Sequence, residues 1–421
     1  MNKRPGIKSK IIKFLKNLGP GLVTGASDDD PSGIATYSQA GAQFGLATLW
    51  TALISTPLMI AIQEMCARIA IVTKKGLAGA IKMNYSKTIL YLIVLVTFPA
   101  VILNIGADIS AIGAVSNLLL PQIPATLFSI IFTVVLALAL IWFSYKKIAS
   151  ILKWLCLILL SYFIVPFLVN QNWQRIILST FIPTIVFSKE FVLIIVALLG
   201  TTISPYLFFW QASAEAEERG HAGKHVMVNK KIIKNMGFDV DTGIILSNII
   251  MFFVILTAGT VLFNAGITQI STVQQAASAL KPLAGNASYL LFAIGIIGSG
   301  LIAIPVLAGS LSYIYAEIRE SGAGLDKKFH QARGFYLVLI IALAIGLVIN
   351  FIGISPIKML IYSAVLYGLT APILILLILH ISNNKSILGK YVNGRLSNLF
   401  GILTFIIMAT VAIAYLYLQF I

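Results

Sequence analysis

Charge is scarce in this sequence, and negative charge is the scarcer kind. Only 10% of the 421 residues are charged, 14 of them Asp or Glu and 30 Lys or Arg, whereas 59% are hydrophobic. A water-soluble core could not bury an apolar share of this size. The apolar stretches are also too long and too continuous for the alternating strands of a membrane barrel. The composition therefore predicts an all-α integral membrane protein.

Cysteine and histidine are almost absent, which limits the metal ligands that side chains can offer. The 2 cysteines, Cys66 and Cys156, fall in separate predicted spans, so neither a disulfide framework nor a thiolate metal site is expected. No nucleophile and base pair or cofactor motif appears, so we expect neither an enzyme nor a resident cofactor. The 4 histidines lie in or beside basic loops and are not expected to bind metal: His221, His225, His330 and His380.

Long apolar segments follow one another along most of the chain. About eleven of them reach roughly 18 residues or more, enough to cross a hydrocarbon core of about 30 Å. The first residues lack the apolar run and cleavage site of a signal peptide, so 1–16 is predicted to be a cytoplasmic tail. The predicted spans are 17–45, 46–72, 88–119, 124–143, 149–170, 190–214, 241–264, 286–316, 335–353, 356–380 and 397–420.

Basic residues mark one side of the predicted bundle. Most Lys and Arg lie in the N-terminal tail and in the loops on its side of the membrane. By the positive-inside rule, the N-terminus is cytoplasmic and the C-terminus lies outside the inner (plasma) membrane. The net charge of +16 is spread over many loops and does not form one basic module, which excludes nucleic acid as a partner. The lipid bilayer is the expected environment.

Two predicted spans contain residues that interrupt helices. The first includes TGASDDDPSGIATY (24–37), with three carboxylates directly before a proline. The sixth includes GTTISPYLFFWQ (200–211), where Gly, Thr, Ser and Pro occur together. Paired interruptions in two halves are typical of inverted-repeat transporters, whose substrate site lies between the breaks. We predict breaks that face one another near 28–33 and 201–206.

The spacing of the interruptions also predicts the domain organisation. The first and sixth spans correspond if the chain consists of two inverted five-helix repeats. The predicted units are the tail 1–16, a first repeat at 17–170, a second repeat at 190–380 and an additional eleventh helix at 397–420.

Three segments resemble the natural resistance-associated macrophage protein (NRAMP) family of metal transporters. GPGLVTGASDDDPSGIATYSQAGAQFG (19–45) is similar to the family's first span, and QEMCARIAIVTKKGLAGAI (63–81) to the end of its second. LGTTISPYLFFWQAS (199–213) lies where the family has Met-Pro-His in the sixth span. The resemblance implies a LeuT-like fold with helices 1 and 6 broken, and transport of a divalent metal cation.

The departures from the family pattern concern the metal ligands. Asp30 to Gly33 reads Asp-Pro-Ser-Gly where the family has Asp-Pro-Gly-Asn, so the amide ligand is missing at Gly33. Ser204 stands in place of the methionine, and Tyr206 in place of the histidine. A thioether favours transition metals, whereas Mg²⁺ requires hard oxygen ligands and keeps several waters. This pattern resembles the NRAMP-related magnesium transporters, which also lack the methionine.

The resemblance and the breaks together predict the residues of an ion site. A carboxylate inside the membrane is costly without a partner, and a divalent cation would provide one. Adjacent helical residues point about 100° apart, so three neighbouring acids cannot all face one ion. The predicted metal ligands are Asp30, backbone carbonyls near Ser27, Gly33 and Thr201, and the Ser204 hydroxyl, with Asp28 or Asp29 lining the access route.

Other acids have alternative interpretations that the sequence leaves open. Asp30 could also cap the helix that starts after the break. Glu64, four residues before Arg68, fits either an ion pair within one helix or a gate. Asp108 and Tyr206 are candidates for access or coupling, although Ala111 stands where the family has a second acid.

Three functions remain open at this stage. The first is a secondary transporter of hard divalent cations, Mg²⁺ foremost and Mn²⁺ also, not strictly coupled to protons. The second is a proton-coupled Mn²⁺ and Fe²⁺ importer, and the third a carrier of an organic substrate with the same fold. One chain is sufficient for each, and the oligomeric state is left open.

Overall fold

The structure is a computed structural model that describes residues 19–143, 157–221 and 228–420. The predicted tail 1–16, the start of the fifth span and Cys156 lie outside these ranges. Short helical turns connect several of the main helices. The main helices are α1 Pro20–Asp28, α2 Pro31–Phe44, α3 Trp50–Thr73, α4 Leu77–Asn84, α5 Lys87–Leu119, α6 Ala125–Trp142, α7 Ser161–Leu168, α8 Trp173–Phe181, α9 Lys189–Thr202, α10 Pro205–His221, α11 Lys230–Val261, α12 Ser288–Arg319, α13 Arg333–Ile349, α14 Pro356–Asn383 and α15 Arg395–Gln419.

The helices account for the predicted spans. Within the described ranges, 9 helical segments are long and apolar enough to cross a membrane. The first predicted span is divided between α1 and α2, and the fifth is described from residue 157 onwards, ending in α7. The prediction of an all-α membrane protein with broken helices 1 and 6 is confirmed.

The first break lies at Asp29 and Asp30, between α1 and α2. Pro31 starts α2, and a proline disfavours helical backbone at the residue before it. Asp30 accordingly has an extended backbone, with φ −69° and ψ 170°, and its side chain accepts from the Gly33 N–H as the N-cap of α2. The break is therefore a capped helix start.

The second break lies at Ile203 and Ser204, between α9 and α10. Pro205 starts α10 and cannot continue the hydrogen bonds of α9. The Ser204 hydroxyl donates to the backbone carbonyls of Gly200, at 2.9 Å, and Thr201, at 2.5 Å. Ser204 thus satisfies carbonyls that the end of α9 leaves free.

Glycines let the interrupted helices approach their neighbours closely. A Cβ on Gly25 of α1 would lie 2.2 Å from the carbonyl oxygen of Gly243 in α11, and one on Gly41 of α2 would lie 2.3 Å from that of Ile255. A Cβ on Gly200 of α9 would similarly lie 2.1 Å from the Ala364 carbonyl oxygen of α14. Small residues allow such close packing between membrane helices. Both halves of the first helix are therefore fixed against α11.

Candidate functional site

The two helix breaks face one another inside the bundle. The Tyr206 phenol, at the start of α10, donates a 2.8 Å hydrogen bond to the backbone carbonyl of Ser27 in α1. The hydroxyls of Ser32 and Thr201 lie 3.3 Å apart across the two breaks. All four residues are buried. The structure thus brings Ser27, Thr201 and Tyr206 of the predicted set to one place.

Asp30 lies at the centre of this arrangement with 1% of its surface exposed. Its Oδ1 atom accepts from the Gly33 N–H at 2.7 Å and from the Ser32 hydroxyl at 2.8 Å. Its Oδ2 atom accepts from the side-chain amide of Asn104 at 2.9 Å. The capping role considered from the sequence is therefore present, and an ion-binding role remains compatible with it because Oδ2 has a second lone pair.

Asn104 and Ser363 belong to this site but are absent from the residues predicted from sequence. Asn104 lies on α5 and Ser363 on α14, both fully buried. The Ser363 hydroxyl donates to the Asn104 side-chain oxygen at 2.8 Å. A signal was available, because Asn104 is an amide within an apolar span, one helical turn before Asp108.

Asp28 and Asp29 face a different helix from Asp30. The Ser247 hydroxyl of α11 lies 2.6 Å from Asp28 Oδ2 and 3.3 Å from Asp29 Oδ1. The Asp28 Oδ1 atom is buried without a hydrogen-bond partner among the described residues. Asp30 therefore points towards α5, while its two neighbours point towards α11. Ser247 is a further polar residue that the sequence prediction does not include.

Asp108 is fully buried on α5, and neither of its carboxylate oxygens has a partner that meets normal hydrogen-bond geometry in the described ranges. The backbone N–H of Ser32, in the first turn of α2, faces this carboxylate. The buried Tyr367 hydroxyl of α14 faces the Asn104 side chain, again without a hydrogen bond of normal geometry among the described residues. Ala111, on the same helix as Asp108, is buried and offers no polar group. The surroundings of Asp30 thus contain several polar atoms that the described protein leaves unsatisfied.

Two of the remaining predicted ligands contact each other within the second break, where the Thr201 carbonyl accepts from the Ser204 hydroxyl. At Gly33 the predicted ligand is the carbonyl, and the N–H of this residue is bonded to Asp30. A Cβ on Gly33 would lie 3.0 Å from the Asp28 carbonyl oxygen and 3.3 Å from the Tyr37 ring. There is consequently little room for a larger side chain at Gly33.

Glu64 lies against α11 rather than at the breaks. A Cβ on Gly237 would lie 2.6 Å from its Oε1 atom, and no hydrogen bond joins Glu64 to the break residues within the described ranges. The Arg68 guanidinium donates to the Ser397 hydroxyl at 3.2 Å. Lys82 and Glu320 form an ion pair, whereas no N···O distance within 4.0 Å joins Glu64 to Arg68 in the described part of the chain.

The chemistry around the breaks is dominated by oxygen. In the ranges that the structure covers, no three His, Cys, Asp or Glu side chains converge as a metal cluster. One sulfur is nearby, since the Thr202 hydroxyl of α9 donates to the Met251 thioether of α11 at 3.6 Å. The breaks therefore offer the Asp30 carboxylate and neutral oxygen groups, with the Asp108 carboxylate in the surroundings, and hard oxygen donors of this kind suit an ion that retains part of its water.

A cavity of about 640 Å³ lies at the far end of α10 from the break. Its lining includes Ser213 and Glu217 of α10, and Glu317 of α12, together with Lys74 and Lys75 after α3. The Ser213 hydroxyl donates to Glu317 at 2.5 Å. The break residues do not line the cavity, and Asp30 itself is buried.

These features define a helical membrane transporter with two opposed interrupted helices, and the comparisons with solved structures agree. The manganese transporter of Eremococcus coleocola, in complex with an aromatic bis-isothiourea substituted compound, aligns with a TM-score of 0.78 and 19% identity over 97% of this chain and 88% of that chain. Mhp1 in its inward-facing conformation aligns with a TM-score of 0.51 and 11% identity over 96% of this chain and 91% of that chain. At these identities the likeness is one of fold.

The sequence comparisons place the chain in a family. The family model of natural resistance-associated macrophage protein-like sequences matches residues 21–418. A divalent metal cation transporter MntH of Caldanaerobacter subterraneus is 25% identical, over 97% of this chain and 95% of that protein. A protein of the same name from Clostridium acetobutylicum is 26% identical, over 99% of this chain and 94% of that protein. The chain belongs to the NRAMP family, and it is a transporter and not an enzyme.

Proposed function

We propose that this protein is a secondary transporter of divalent metal cations, with Mg²⁺ as its main substrate and Mn²⁺ also carried. The observation that carries the proposal is the meeting of the two helix breaks around the buried Asp30 carboxylate. Relatives named divalent metal cation transporters support the general class. The choice of Mg²⁺ rests on the oxygen-dominated surroundings, with Ser204 in place of a thioether.

In this proposal, Asp30 binds the cation through its Oδ2 atom. The backbone carbonyls of Ser27 and Thr201 are further donors that the breaks supply. Each accepts a hydrogen bond in the structure, from Tyr206 and Ser204 respectively, and has a second lone pair for the ion. Mg²⁺ needs few such protein oxygens because it keeps several waters.

The unsatisfied polar atoms suit the waters of a hydrated ion. Metal-bound water donates hydrogen bonds, and the free oxygens of Asp28 and Asp108 can only accept them when ionised. The orphaned oxygens therefore favour an ion that enters with part of its hydration shell.

A proton-coupled Mn²⁺ importer is the alternative, and Met251 is the observation in its favour. Its thioether is a soft ligand close to the second break, although Thr202 occupies it in the structure. The buried Asp108 is the titratable group that proton coupling would use. An organic substrate fits less well, because a cluster of acids repels a carboxylate ligand.

The cavity beside α10 and the basic loops indicate which side of the protein faces the cytoplasm. We propose that the cavity is the cytoplasmic vestibule, because Lys74 and Lys75 lie on its wall and basic residues favour that side. In this orientation the N-terminus is cytoplasmic and the C-terminus is external. The proposed domain organisation is two inverted repeats, 17–170 and 190–380. The acidic Glu217 and Glu317 would raise the local concentration of cations at its mouth.

Uptake into liposomes tests the proposal. Purified protein should carry Mg²⁺ and Mn²⁺ into vesicles, driven by an inside-negative potential worth about 2.3 kcal/mol per charge per 100 mV. A pH dye inside the vesicles should report no obligatory proton movement. Mn²⁺ uptake without Mg²⁺ uptake, accompanied by acidification of the lumen and lost in Met251→Leu, would instead support the proton-coupled importer.

A further inference from the structure

Two carboxylates of the first break converge on one hydroxyl of α11. The Ser247 hydroxyl lies 2.6 Å from Asp28 Oδ2 and 3.3 Å from Asp29 Oδ1. A hydroxyl has one proton, so it can donate fully to only one of the two carboxylates. The shorter distance assigns this proton to Asp28. Asp29 Oδ1 then faces a hydroxyl oxygen that has no further proton to donate.

Neither of these carboxylates has a positively charged partner. Both are buried, with 1% of Asp28 and 3% of Asp29 exposed. In the described part of the chain, no nitrogen of Lys, Arg or His lies within 4.0 Å of either one. Two like charges held close together away from water repel one another strongly. A cation between them would replace this repulsion with attraction.

A cation at Asp30 does not supply the missing charge. Asp30 points towards α5, where the Asp108 carboxylate lies near it. One divalent cation at Asp30 balances the two negative charges that Asp30 and Asp108 carry when ionised. Asp28 and Asp29 add two more on the α11 side of the break. The charges around the first break therefore match two divalent cations.

Tyr37 is an independent indication of a ligand on this side of the break. Its side chain is fully buried on α2, and its hydroxyl has no hydrogen bond of normal geometry in the described ranges. The hydroxyl-bearing end of the ring packs at Gly33, where a Cβ would lie 3.3 Å from the Tyr37 Cζ atom and 3.0 Å from the Asp28 carbonyl oxygen. Asp28 and Asp29 are the charged groups that act most strongly on this hydroxyl, and the Thr202 hydroxyl lies beside it. A phenol oxygen placed here can bind a cation through its lone pairs.

We propose that Asp28 and Asp29 bind a second divalent cation, between the first break and the Ser247 hydroxyl. Asp28 contributes Oδ1, which has no hydrogen-bond partner in the described residues, and Tyr37 contributes its phenol oxygen. The two carboxylates and two hydroxyls are hard donors, and water fills the remaining positions around the ion. Because a carboxylate oxygen has two lone pairs, Asp28 Oδ1 can bind this ion and still accept from the water of the ion at Asp30.

Counting bound ions tests the proposal, with Mn²⁺ as the probe. The number of ions per chain is measured by equilibrium dialysis of the purified full chain in detergent. Asp29→Asn removes one of the paired charges and should bind one Mn²⁺ fewer than the unmutated protein. Asp30→Asn should also bind one fewer, because it empties the other site. The double variant should bind two fewer, since the two sites are distinct.

Tyr37→Phe tests the neutral ligand of the second site. Removal of its hydroxyl should weaken one of the two Mn²⁺ binding steps by roughly tenfold and leave the other unchanged. Tyr162→Phe is the matched control, because the buried Tyr162 hydroxyl also lacks a hydrogen bond of normal geometry in the described residues but lies on α7, away from the break. This variant should leave both binding steps unchanged.

An unchanged ion count in Asp29→Asn, or a double variant that loses only one ion, would overturn the inference. If Asn at position 29 prevents folding, Tyr37→Phe decides, and two unchanged binding steps overturn it. Failure of the proposed function is distinguishable, because it would appear as no divalent uptake by the unmutated protein or as normal uptake by Asp30→Asn. Neither of those results alters the ion that Asp29→Asn loses.

Discussion

The Tyr206 phenol and the Ser27 backbone carbonyl form a 2.8 Å hydrogen bond that joins the helix after one break to the helix before the other. The Tyr206 ring also lies 5.6 Å from that of Tyr367 on α14. The Ser27 carbonyl is also a proposed ion ligand, so in that proposal the tyrosine hydroxyl and a bound cation would share this oxygen. The bond therefore stabilises the site when no ion is bound.

Removing this hydroxyl should make the protein depend more on its ion. Tyr206→Phe leaves a buried carbonyl unpaired, at a cost of about 1–3 kcal/mol to stability. A cation that fills the position recovers part of this loss. The melting temperature should therefore fall without Mg²⁺, and the increase on adding Mg²⁺ should exceed that of the unmutated protein.

Tyr336→Phe is a suitable control for that measurement. Its hydroxyl donates to the Lys327 carbonyl at 2.6 Å, outside the breaks. Tyr336→Phe should lower the melting temperature but leave the Mg²⁺-induced increase unchanged. An equal Mg²⁺ response in Tyr206→Phe and the unmutated protein would place the Ser27 carbonyl outside the ion's ligands.

Substitution of Asp30 should affect transport and stability separately. Asp30→Asn should abolish divalent uptake, because it removes the charge that binds the ion. Asp30→Ala should in addition lose the helix cap and leave the Asn104 amide unpaired, costing about 2–3 kcal/mol. Asp28→Asn should only weaken the apparent affinity for the divalent cation, because it removes the electrostatic attraction of one negative charge. Measuring both uptake kinetics and thermal unfolding would distinguish these effects. Full activity of a folded Asp30→Asn protein would exclude Asp30 as the ligand.

Ser204→Met should shift selectivity towards soft ions. A thioether at this position would place a soft ligand at the second break, so Cd²⁺ and Mn²⁺ uptake should increase relative to Mg²⁺. Adding Gly33→Asn should reinforce the effect if the protein tolerates it, but the Asp28 carbonyl 3.0 Å from a Cβ there predicts a stability loss. Competition of Cd²⁺ against Mg²⁺ uptake measures the shift, and an unchanged ratio in Ser204→Met would contradict a ligand role for this position.

Close packing of α1 on α11 should make Gly25 sensitive to the smallest substitution. A Cβ there would lie 2.2 Å from backbone oxygen, so Gly25→Ala should destabilise the protein by about 1–3 kcal/mol or displace α1. Gly394→Ala is the control, because a Cβ at Gly394 meets nothing within 4 Å and its φ of −79° is ordinary. Thermal unfolding of both variants in detergent tests the difference, and similar melting temperatures would refute the packing argument.

The breaks could be located from sequence because of the residues that precede the prolines. Pro57, Pro99, Pro305 and Pro372 all lie inside continuous helices, so proline alone does not predict a break. Asp30 and Ser204 differ from most residues before those prolines because their side chains satisfy the backbone groups that a break exposes. The sequence therefore contains both the interruption and its cap.

The partners of the acids could not be located in the same way. Asn104, Ser247 and Ser363 lie on three different helices, and which of their faces meets Asp28 or Asp30 depends on how those helices pack. Hydropathy finds a span but not its rotation about its own axis. The resemblance to a family supplied the ligands on the interrupted helices alone, so the supporting residues on continuous helices were absent from the prediction.

The first break consists of only two residues, Asp29 and Asp30, so its length should tolerate no insertion or deletion. One inserted codon would add a residue to the non-helical break, and so reorient α2 relative to α1 and shift it by up to about 3.5 Å. Neither helix could rotate back to compensate, because Gly25 and Gly41 fix both against α11. We therefore expect insertions and deletions at this point to abolish transport. Single-residue length changes in the exposed connections at the ends of the bundle should leave transport unchanged.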